Sequence, residues 1–333
     1  MTCSVCIATW RRPEALALCL RSLMRQTEPP QEIVVSDGDP DVTARAVVSE
    51  FASAGPWTIR YCPTARPALP WQRWWGFRHS AGSIILFLDD DVQLSPDAIA
   101  TLQRLYRERP DIAGAGFAIT YDGPPGLRTA SSRLRNRWLG MNGAAPGSIL
   151  RGGITVDHPE AACTEVREVE WLSGGAMSFR RHVLEAIGPQ DGLFQLYDQR
   201  IGKAEDAILS SRARRLGPLL LIAGTHARHP ALTEATRTAT AQDGFRRGLL
   251  ETWGRAHVLH WLARDPAALQ TAWARLATLE LARALKSIAK RPGDPARWQR
   301  LAGDLVGIQR TLRQWHAIPP SPALAQNTAR EGS

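Results

Sequence analysis

The hydrophobic positions of the first 115 residues follow two alternating spacings. Short, largely apolar runs at residues 5–8, 32–36 and 83–88 are typical of buried strands. Between these runs, apolar residues recur three and four positions apart at 16–24 and 42–51, which predicts amphipathic helices. Strands that alternate with helices form a parallel sheet with helices packed on both faces. The pattern therefore predicts an α/β fold with a doubly wound, Rossmann-like sheet.

The periodicity weakens after residue 115 and returns near residue 171. A long irregular segment inside a compact domain is usually a binding element, and we interpret residues 116–169 in this way. Beyond it, the pattern predicts a strand at 176–179, helices at 180–187 and 204–216, and a strand at 219–223. Two histidines follow this last strand in what we expect to be a loop.

The last ninety residues show helical spacing only. In the final predicted helix the apolar residues alternate three and four positions apart, at Trp298, Leu301, Leu305, Ile308, Leu312 and Trp315. This heptad seam, of about two and a half repeats, is too short for an independent coiled coil. We expect it to pack on the rest of the chain or on a second copy. Residues 319–333 are expected to be a disordered tail.

The composition is that of a globular protein with a sizeable core. Of the 333 residues, 44% are hydrophobic and 22% are charged, which rules out a disordered or fibrous protein. The longest apolar runs are far shorter than the ~20 residues that cross a bilayer. The N-terminus has no basic leader or cleavage site, so we expect no signal peptide. The five cysteines are odd in number, and we expect reduced thiols in a cytoplasmic protein.

The positive charge is concentrated at the C-terminal end. The formal net charge is +9, and residues 240–333 contribute 14 Lys and Arg against 7 Asp and Glu. Two interpretations stay open for this region: helices that pack on the catalytic body or form a homodimer, and an amphipathic face that makes peripheral contact with an anionic membrane. The charge is not accompanied by a recognised nucleic-acid-binding motif, so we expect no nucleic-acid partner.

Acidic residues follow two strands of the predicted sheet. Asp37 follows the predicted strand at residues 32–36, and Asp89, Asp90 and Asp91 follow the one at residues 83–88. Ligands of such sheets gather at the carboxyl ends of the strands. Adjacent carboxylates repel one another unless something compensates them. A divalent cation such as Mg²⁺ or Mn²⁺ prefers carboxylate and phosphate oxygens as ligands. The alternative, a solvated loop that caps the next helix, needs one aspartate rather than three.

Two other chemistries fit this segment less well. A phosphatase-type aspartate nucleophile normally ends the first strand of its fold and has Thr or Val two places beyond the second aspartate, whereas Val92 and Gln93 follow directly here. A nucleotidyltransferase would carry a glycine-rich basic loop after the first strand, and residues 9–12 contain no glycine. The aspartates therefore favour a divalent cation bound together with substrate phosphates.

Five segments in the same order resemble the family 2 glycosyltransferases, an inverting class with the GT-A fold and nucleotide-sugar donors. Residues 5–13 resemble the opening strand of that family, and residues 26–27 match the close of its first helix. Residues 32–38 resemble the second strand and residues 87–91 resemble the DXD signature. Residues 174–181 match the segment that leads to the acceptor side. Glu205-Asp206 resembles the family's ED motif.

The resemblance covers roughly residues 3–230 and implies a domain organisation. Residues 1–118 would form the nucleotide-sugar-binding half of a GT-A domain and residues 119–239 its acceptor-binding half, followed by a helical domain at 240–318. It also implies Mn²⁺ or Mg²⁺ as cofactor, a nucleotide-diphosphate sugar as donor, and a hydroxyl of a glycan, lipid-linked or other glycoconjugate as acceptor. A catalytically silent nucleotide- or sugar-binding module of the same fold stays open as the alternative.

On the donor side, the resemblance assigns the nucleobase contact to Asp37. The donor-binding residues that it implies are Thr9, Arg12, Asp37, Asp89, Asp90 and Asp91. Asp89 and Asp91 would also hold the metal, because they are the outer aspartates of the DXD segment. His229 is the further metal ligand that we expect, with His226 as an equal rival.

On the acceptor side, the resemblance assigns the catalytic base to Asp206, which would take the proton of the acceptor hydroxyl in a single displacement. The alternative for Asp206 is a carboxylate that interacts only with the dipole of its own helix. The acceptor-binding residues implied are Trp171, Gly174, Gly175, Asp191 and Glu205. For Trp171, core packing is an equal alternative. We expect the enzyme in the cytoplasm, with peripheral attachment at the inner face of the membrane as a further expectation.

Overall fold

The protein divides into two compact units. The structure, a computed structural model, describes residues 1–54, 58–122, 130–158, 165–230 and 244–318. The first unit, here called the sheet unit, comprises Met1–Pro125, His158–Phe194 and Leu209–Thr238. The second, here called the helical unit, comprises Gly126–Asp157, Gln195–Ile208 and Ala239–Ser333. The boundaries proposed at residues 118 and 239 stay predictions, and the expected tail at 319–333 lies outside the described residues.

The strands all belong to the sheet unit. Among the described residues they are β1 (Cys3–Thr9), β2 (Glu32–Asp37), β3 (Ile59–Pro63), β4 (Ile84–Asp89), β5 (Gln93–Leu94), β6 (Gly114–Tyr121), β7 (Arg167–Val169), β8 (Ala176–Arg180) and β9 (Leu219–His229). They form one mixed sheet in the order β3-β2-β1-β4-β8-β6-β9-β5, with β7 paired to β9. β3, β2, β1 and β4 are parallel, as the alternation predicts.

The strands that follow β4 along the chain change the direction of the sheet. β8 lies antiparallel between β4 and β6, while β5 and β7 are antiparallel to β9. Hydrophobic spacing identifies strands but does not give their direction. The antiparallel pairing of β5, β7 and β8 therefore could not be predicted from the sequence pattern. The α/β fold class with flanking helices and a C-terminal helical region is confirmed.

The helices flank the sheet and make up most of the helical unit. They are α1 (Pro13–Leu23), α2 (Ala44–Ser53), α3 (Leu69–Arg78), α4 (Ala98–Glu108), α5 (Ala130–Trp138), α6 (Arg181–Ile187), α7 (Asp191–Asp198), α8 (Glu205–Ala213), α9 (Gly244–Leu249), a π-helical turn (Leu250–Gly254), α10 (Arg255–Leu262), α11 (Pro266–Lys290) and α12 (Pro295–Gln314). Within the described residues, none of these helices is long and apolar enough to span a membrane.

Proline and aspartate fix several helix starts. Pro13 occupies the first turn of α1, where its missing N–H costs nothing. Asp265 and Asp294 each precede a proline, and their carboxylates accept hydrogen bonds from the first backbone N–H groups of α11 and α12. These contacts satisfy donors that the helix itself leaves unpaired.

The two faces of the sheet carry separate cores because side chains alternate along each strand. Val5 and Ile7 of β1 belong to the same buried cluster as Leu16 of α1. Cys6, on the opposite face, belongs to the cluster that contains Phe77 of α3. Cys6 is a free thiol in this core and serves there as a small apolar residue.

The heptad seam of α12 is only partly covered within the chain. Trp315 packs against Trp273, but the packing expected along the whole seam is not observed among the described residues. Trp298, Leu305 and Leu312 are more than half exposed, whereas the fully buried positions include Gly303 and Gly307. A Cβ at Gly303 would overlap the carbonyl oxygen of Phe245 in α9. Small residues thus let the backbones of α9 and α12 approach closely. A pattern built on large apolar residues does not predict this contact.

Asp304 lies on the same buried face of α12, and its carboxylate has no hydrogen-bond partner among the described residues. Asp304 is fully buried, and Arg300 Nε lies 4.0 Å away. Burial raises the pKa of Asp304 to about 6 from its ordinary 3.8, against the pull of the Arg300 charge. The protonated form of Asp304 therefore contributes its full share to the free energy of unfolding below about pH 4. This contribution is lost as the pH rises through about 6.

Asp304→Asn should consequently stabilise the protein in alkaline but not in acidic buffer. The raised pKa corresponds to at most about 3 kcal/mol at pH 8, because each unit of pKa is worth about 1.4 kcal/mol. We expect the melting temperature of the variant to exceed that of the wild type at pH 8 and to match it near pH 4. Thermal unfolding of both proteins at pH 4, 6 and 8 tests this. An equal difference at pH 4 and pH 8 would contradict it.

Candidate active site

The carboxyl ends of β1, β2 and β4 bring the expected donor-binding residues to one edge of the sheet. Thr9 is the register partner of Asp37 across β1 and β2. Ala8, next to Thr9, is the register partner of Asp89 across β1 and β4. Because three parallel strands end level with one another, side chains that are far apart in sequence meet here.

Asp90 is the most enclosed of the three consecutive aspartates, with 1% of its surface exposed. Thr9 Oγ1 donates a hydrogen bond of 2.7 Å to Asp90 Oδ2, and Arg12 Nη2 lies 3.1 Å from Asp90 Oδ1. Burial raises the pKa of Asp90 to about 7, although the Arg12 charge and the Thr9 hydrogen bond both oppose the rise. Asp90 therefore anchors the loop after β1 through Thr9 and Arg12, and its expected donor-binding role stays a prediction.

Asp91 is held by an arginine and a histidine that are far apart in the sequence. Arg12 Nη1 donates to Asp91 Oδ2 at 2.5 Å, and His229 Nε2 lies 3.3 Å from Asp91 Oδ1. Burial alone would raise the pKa of Asp91, but the His229 hydrogen bond and the Arg12 charge outweigh it and the pKa lies below its ordinary value. The hydrogen bond to Asp91 likewise raises the pKa of His229, against its partial burial.

Of the two rival histidines, His229 is the one that the structure places against Asp91. β9 continues to His229 instead of ending at residue 223, so both histidines lie on the strand and the expected loop is wrong. The sequence marked the end of the apolar run, but the strand continues beyond Gly224 because Ala227 and His229 pair with β6. His226 Nδ1 lies 3.1 Å from Ser95 Oγ and 3.3 Å from Asp97 Oδ1, away from Asp91.

Arg73 is a site residue that the sequence did not indicate. It is 5% exposed on α3, and its Nη2 donates to Asp89 Oδ1 at 2.8 Å and to the carbonyl of Gly174 at 2.9 Å. Asp89 itself keeps a third of its side chain exposed. Arg73 lies among tryptophans on α3, a helix without a clear polar face. The sequence feature that could have indicated a functional role for Arg73 is its position as a charged residue inside an aromatic stretch.

Asp37 lies at the second strand end and is fully buried. The hydroxyl of Tyr61 donates to Asp37 Oδ2 at 2.6 Å, and the backbone N–H of Asp39 donates to Asp37 Oδ1 at 2.9 Å. Burial together with the bond to Asp37 raises the pKa of the Tyr61 phenol well above its ordinary range. The Asp37 carboxylate is thus pre-oriented, and each oxygen keeps one lone pair for a further donor.

The two glycines expected on the acceptor side support the aspartate loop. The carbonyl of Gly175 accepts from the backbone N–H of Asp89 at 3.1 Å. A Cβ at Gly175 would overlap Ile119.

Trp171 is half-buried, with its ring centroid 4.3 Å from that of His158. Asp191 is exposed in the first turn of α7. Within the sheet unit, therefore, the glycines stand next to Asp89, while Trp171 packs on a histidine.

The predicted base belongs to the helical unit. Glu205 and Asp206 are half-buried in the first turn of α8, and the hydroxyl of Tyr197 donates to Glu205. The backbone N–H of Ala207 lies 2.8 Å from Asp206 Oδ1. Ala204, just before the helix, has a φ of +56°, a conformation that is strained for a residue with a side chain. Strain of this kind concentrates at functional sites.

The donor set at the aspartate edge fits a divalent cation, although the described residues contain no cluster of three or more His, Cys, Asp or Glu side chains arranged to hold a metal. Asp91 and His229 supply a carboxylate oxygen and an imidazole nitrogen side by side. The carbonyl of Pro230 lies 3.0 Å from His229 Nδ1. With Nδ1 as the donor to this carbonyl, a cation that displaced the proton shared between Nε2 and Asp91 would find a nitrogen lone pair at Nε2. Two protein ligands suit a cation that completes its shell with phosphate oxygens and water.

A family comparison identifies the chain. The glycosyl transferase family 2 profile matches residues 4–187, more than half of the sequence. The chain belongs to glycosyl transferase family 2. The resemblance of the sequence to this family is thereby confirmed. The matched region includes Asp37 and the three consecutive aspartates but ends before Asp206 and His229, so the roles of those two residues stay predictions.

A curated relative and two solved structures are consistent with this family. The chain is 32% identical over 127 residues to the succinoglycan biosynthesis protein ExoM of Rhizobium meliloti (strain 1021), and the alignment covers 37% of this chain and 40% of ExoM. The mannosyltransferase PcManGT from Pyrobaculum calidifontis, in complex with GDP-Man and Mn²⁺, is 17% identical with a TM-score of 0.50, covering 93% of this chain and 86% of that chain. GalNAc-T7 with UDP, GalNAc and Mn²⁺ is 16% identical with a TM-score of 0.55, covering 86% and 57%. At these identities the structures show the fold alone, and the predicted GT-A fold is confirmed.

Proposed function

We propose that the protein transfers a sugar from a nucleotide-diphosphate donor to a hydroxyl of a glycan, lipid-linked or other glycoconjugate acceptor, with inversion at the anomeric carbon. The observation that carries this proposal is the meeting of Asp91, Arg12 and His229 at the strand ends beside Asp37. This arrangement combines an acceptor for a nucleobase with charges that match a diphosphate.

The donor side of the proposal assigns one task to each group. Asp37, fixed by Tyr61 and the Asp39 backbone, accepts hydrogen bonds from a uracil or guanine edge. Arg12 and Arg73 flank the aspartates and would exchange part of their carboxylate contacts for diphosphate oxygens. Guanidinium groups suit this exchange because their planar fork binds carboxylate and phosphate alike.

The cofactor in this proposal is Mn²⁺ or Mg²⁺, held by Asp91 and His229 with help from Asp89. The presence of Mn²⁺ in the PcManGT and GalNAc-T7 structures supports it. When bound, such a cation neutralises the charge that develops on the departing nucleoside diphosphate. Arg12 and Arg73 supply further positive charge at the same edge, so departure does not depend on a single group.

The chemical step in this proposal is one direct displacement. The Asp206 carboxylate takes the proton of the acceptor hydroxyl, whose oxygen forms a bond to the anomeric carbon as the bond to the diphosphate oxygen breaks. The nucleoside diphosphate leaves with the bonding electron pair, and no covalent enzyme intermediate forms. Attack from the face opposite the leaving group inverts the configuration.

The acceptor and location that we propose follow from the relative and from the charge. ExoM is a succinoglycan biosynthesis protein, which favours a surface polysaccharide or related glycoconjugate as product. We place the enzyme in the cytoplasm, with peripheral contact at the inner face of the membrane through the basic C-terminal region. The exposed stripe of Trp298, Leu305 and Leu312 on α12 offers the surface for a homodimer, which sedimentation would test.

A nucleotide-sugar panel tests the proposed function. The full chain is incubated with UDP- and GDP-sugars, with Mn²⁺ or with EDTA, and release of nucleoside diphosphate is measured. We expect slow metal-dependent release from one nucleotide class, with water as acceptor. Binding of that nucleotide without release, with or without added glycan acceptors, would instead favour the catalytically silent module.

A further inference from the structure

A cavity in the helical unit is lined by an excess of positive charge. It has a volume of about 260 Å³, and the cations that line it are Arg135, Lys203, Arg255 and Arg283. Two carboxylates, Asp157 and Glu280, line it as well. A cavity with this balance of charge attracts an anionic group.

The carboxylates around the cavity leave part of the positive charge uncompensated. Lys203 Nζ and Arg255 Nε share the single carboxylate of Glu251, at 3.2 and 2.7 Å. Glu280 is 1% exposed, and its two oxygens are taken by Arg283 at 2.6 Å and Arg300 at 2.8 Å.

Arg135 is the cation with the least compensation. Its guanidinium donates to the neutral amide oxygen of Asn136 at 3.0 and 3.1 Å. Among the described residues, it makes no ion pair with a carboxylate. A half-buried guanidinium without a carboxylate partner can bind a phosphate through two parallel hydrogen bonds.

An apolar groove continues from this cavity. The groove has a volume of about 620 Å³ and shares Arg135, Leu279 and Arg283 with the cavity wall. Its apolar lining includes Leu134 and Trp138, of which 69% and 47% are exposed. Trp138 is held in place because its Nε1 donates to the carbonyl of Arg275 at 2.8 Å. Large apolar side chains exposed together mark a binding surface.

The cavity also reaches the segment that carries the proposed base. Ala204, whose φ of +56° fixes the chain just before α8, lines the cavity. Asp206 follows two residues later. A ligand anchored in the cavity is therefore bound beside the backbone that leads to Asp206.

We propose that the helical unit binds a glycan acceptor that is joined through a phosphate to an isoprenoid or similar lipid chain, with the phosphate in the cavity at Arg135 and the chain in the groove at Leu134 and Trp138. A hydroxyl of the glycan part is the group that receives the sugar. This inference rests on the proposed function, because it names the acceptor of that reaction. The positive charge of the cavity favours a phosphate. The apolar groove that continues from the cavity favours a phosphate attached to a lipid over a free anion.

Equilibrium dialysis of the full-length chain with three small probes tests this proposal. The probes are farnesyl monophosphate, farnesol and inorganic phosphate, each below its aggregation limit. We expect farnesyl monophosphate to bind more tightly than either of the others, because it alone fills both the cavity and the groove. Binding of inorganic phosphate as tight as that of farnesyl monophosphate would overturn the lipid part and leave a free anion site.

Two substitutions with matched controls separate the cavity from the groove. Arg135→Gln should weaken farnesyl monophosphate about tenfold and leave farnesol unchanged, because it removes one charged contact. Leu134→Glu should weaken both lipids. The controls are Arg137→Gln, an exposed residue of α5 outside both walls, and Leu285→Glu, 56% exposed on α11 outside the groove. Equal effects of each variant and its control would overturn the proposal.

Nucleoside-diphosphate affinity, measured on the same variants, separates this inference from the proposed function. Arg135→Gln should leave the nucleoside-diphosphate affinity unchanged, because the proposed nucleotide site lies in the sheet unit and Arg135 lies in the helical unit. Metal-dependent nucleotide binding without Arg135-dependent lipid binding would refute the acceptor inference alone. Lipid binding that depends on Arg135, in a protein that binds no nucleoside diphosphate, would refute the proposed function alone.

Discussion

Asp91→Asn is expected to lower the rate of sugar transfer on the order of 10³-fold, as the loss of one preorganised electrostatic group does in other enzymes. The asparagine keeps the shape of the side chain but loses the charge that faces Arg12 at 2.5 Å and His229 at 3.3 Å. It also removes the carboxylate that we propose as metal ligand. Release of nucleoside diphosphate, measured with saturating Mn²⁺ and donor, gives the rate.

The matched control for this variant is Asp97→Asn. Asp97 lies six residues further along the chain with 59% of its side chain exposed, and it contacts Ser95 and His226 rather than Arg12. We expect its transfer rate to stay within about twofold of the wild type, as for most surface substitutions. A rate for Asp91→Asn within tenfold of the wild type, in a variant that retains its melting temperature, would remove Asp91 from the mechanism.

Asp206→Asn is expected to lower kcat about 10²–10⁴-fold, which is the usual contribution of a general base. The affinity for nucleoside diphosphate should not change, because the proposed donor site is built from the sheet unit and Asp206 belongs to the helical unit. Steady-state assays of sugar transfer give kcat, and calorimetric titration of the nucleoside diphosphate gives its affinity. A fall in kcat without a change in nucleotide affinity identifies a role in chemistry.

Asp198→Asn is the control for the base. Asp198 is an exposed carboxylate at the end of α7, eight residues before Asp206, and we expect its kcat to be close to that of the wild type. If Asp206→Asn instead retains at least a third of the wild-type kcat, Asp206 is only a helix-start carboxylate. If kcat and nucleotide affinity fall together, the variant has damaged the fold rather than the base.

The meeting of the aspartates with Thr9 and Asp37 could be predicted from the sequence because parallel strands end level with one another. The register of β1 with its neighbours is what aligns Thr9 with Asp37 and Ala8 with Asp89. That register follows from the apolar runs and their turns. The resemblance to the family then supplied roles for these residues.

Arg73 could not be predicted, because its partners lie far away along the chain. Asp89 is 16 residues beyond it and Gly174 is 101 residues beyond it, and both contacts depend on how α3 packs. The buried face of α12 was missed for a related reason. Glycines 303 and 307 make that contact, and a pattern of large apolar side chains gives no weight to small ones.

The make-up of the helical unit could not be predicted from local patterns, because the unit is assembled from three separate stretches of sequence. Arg135 and Arg283 line one cavity although 148 positions of numbering separate them. The sequence did indicate an irregular insertion at residues 116–169, which contains Arg135, and a basic C-terminal region. Which of those charges converge was decided by packing between α5 and α11, not by spacing within either helix.

The central claim, a nucleoside diphosphate bound through a cation at Asp91, is tested most directly by one calorimetric titration. UDP and GDP are titrated into the wild type and into Asp91→Asn, each in Mn²⁺ and in EDTA. We predict that Mn²⁺ tightens binding of one nucleotide to the wild type at least tenfold, about 1.4 kcal/mol, and does not tighten its binding to the variant. Equal affinity in Mn²⁺ and EDTA, or an undiminished gain in Asp91→Asn, would contradict the claim.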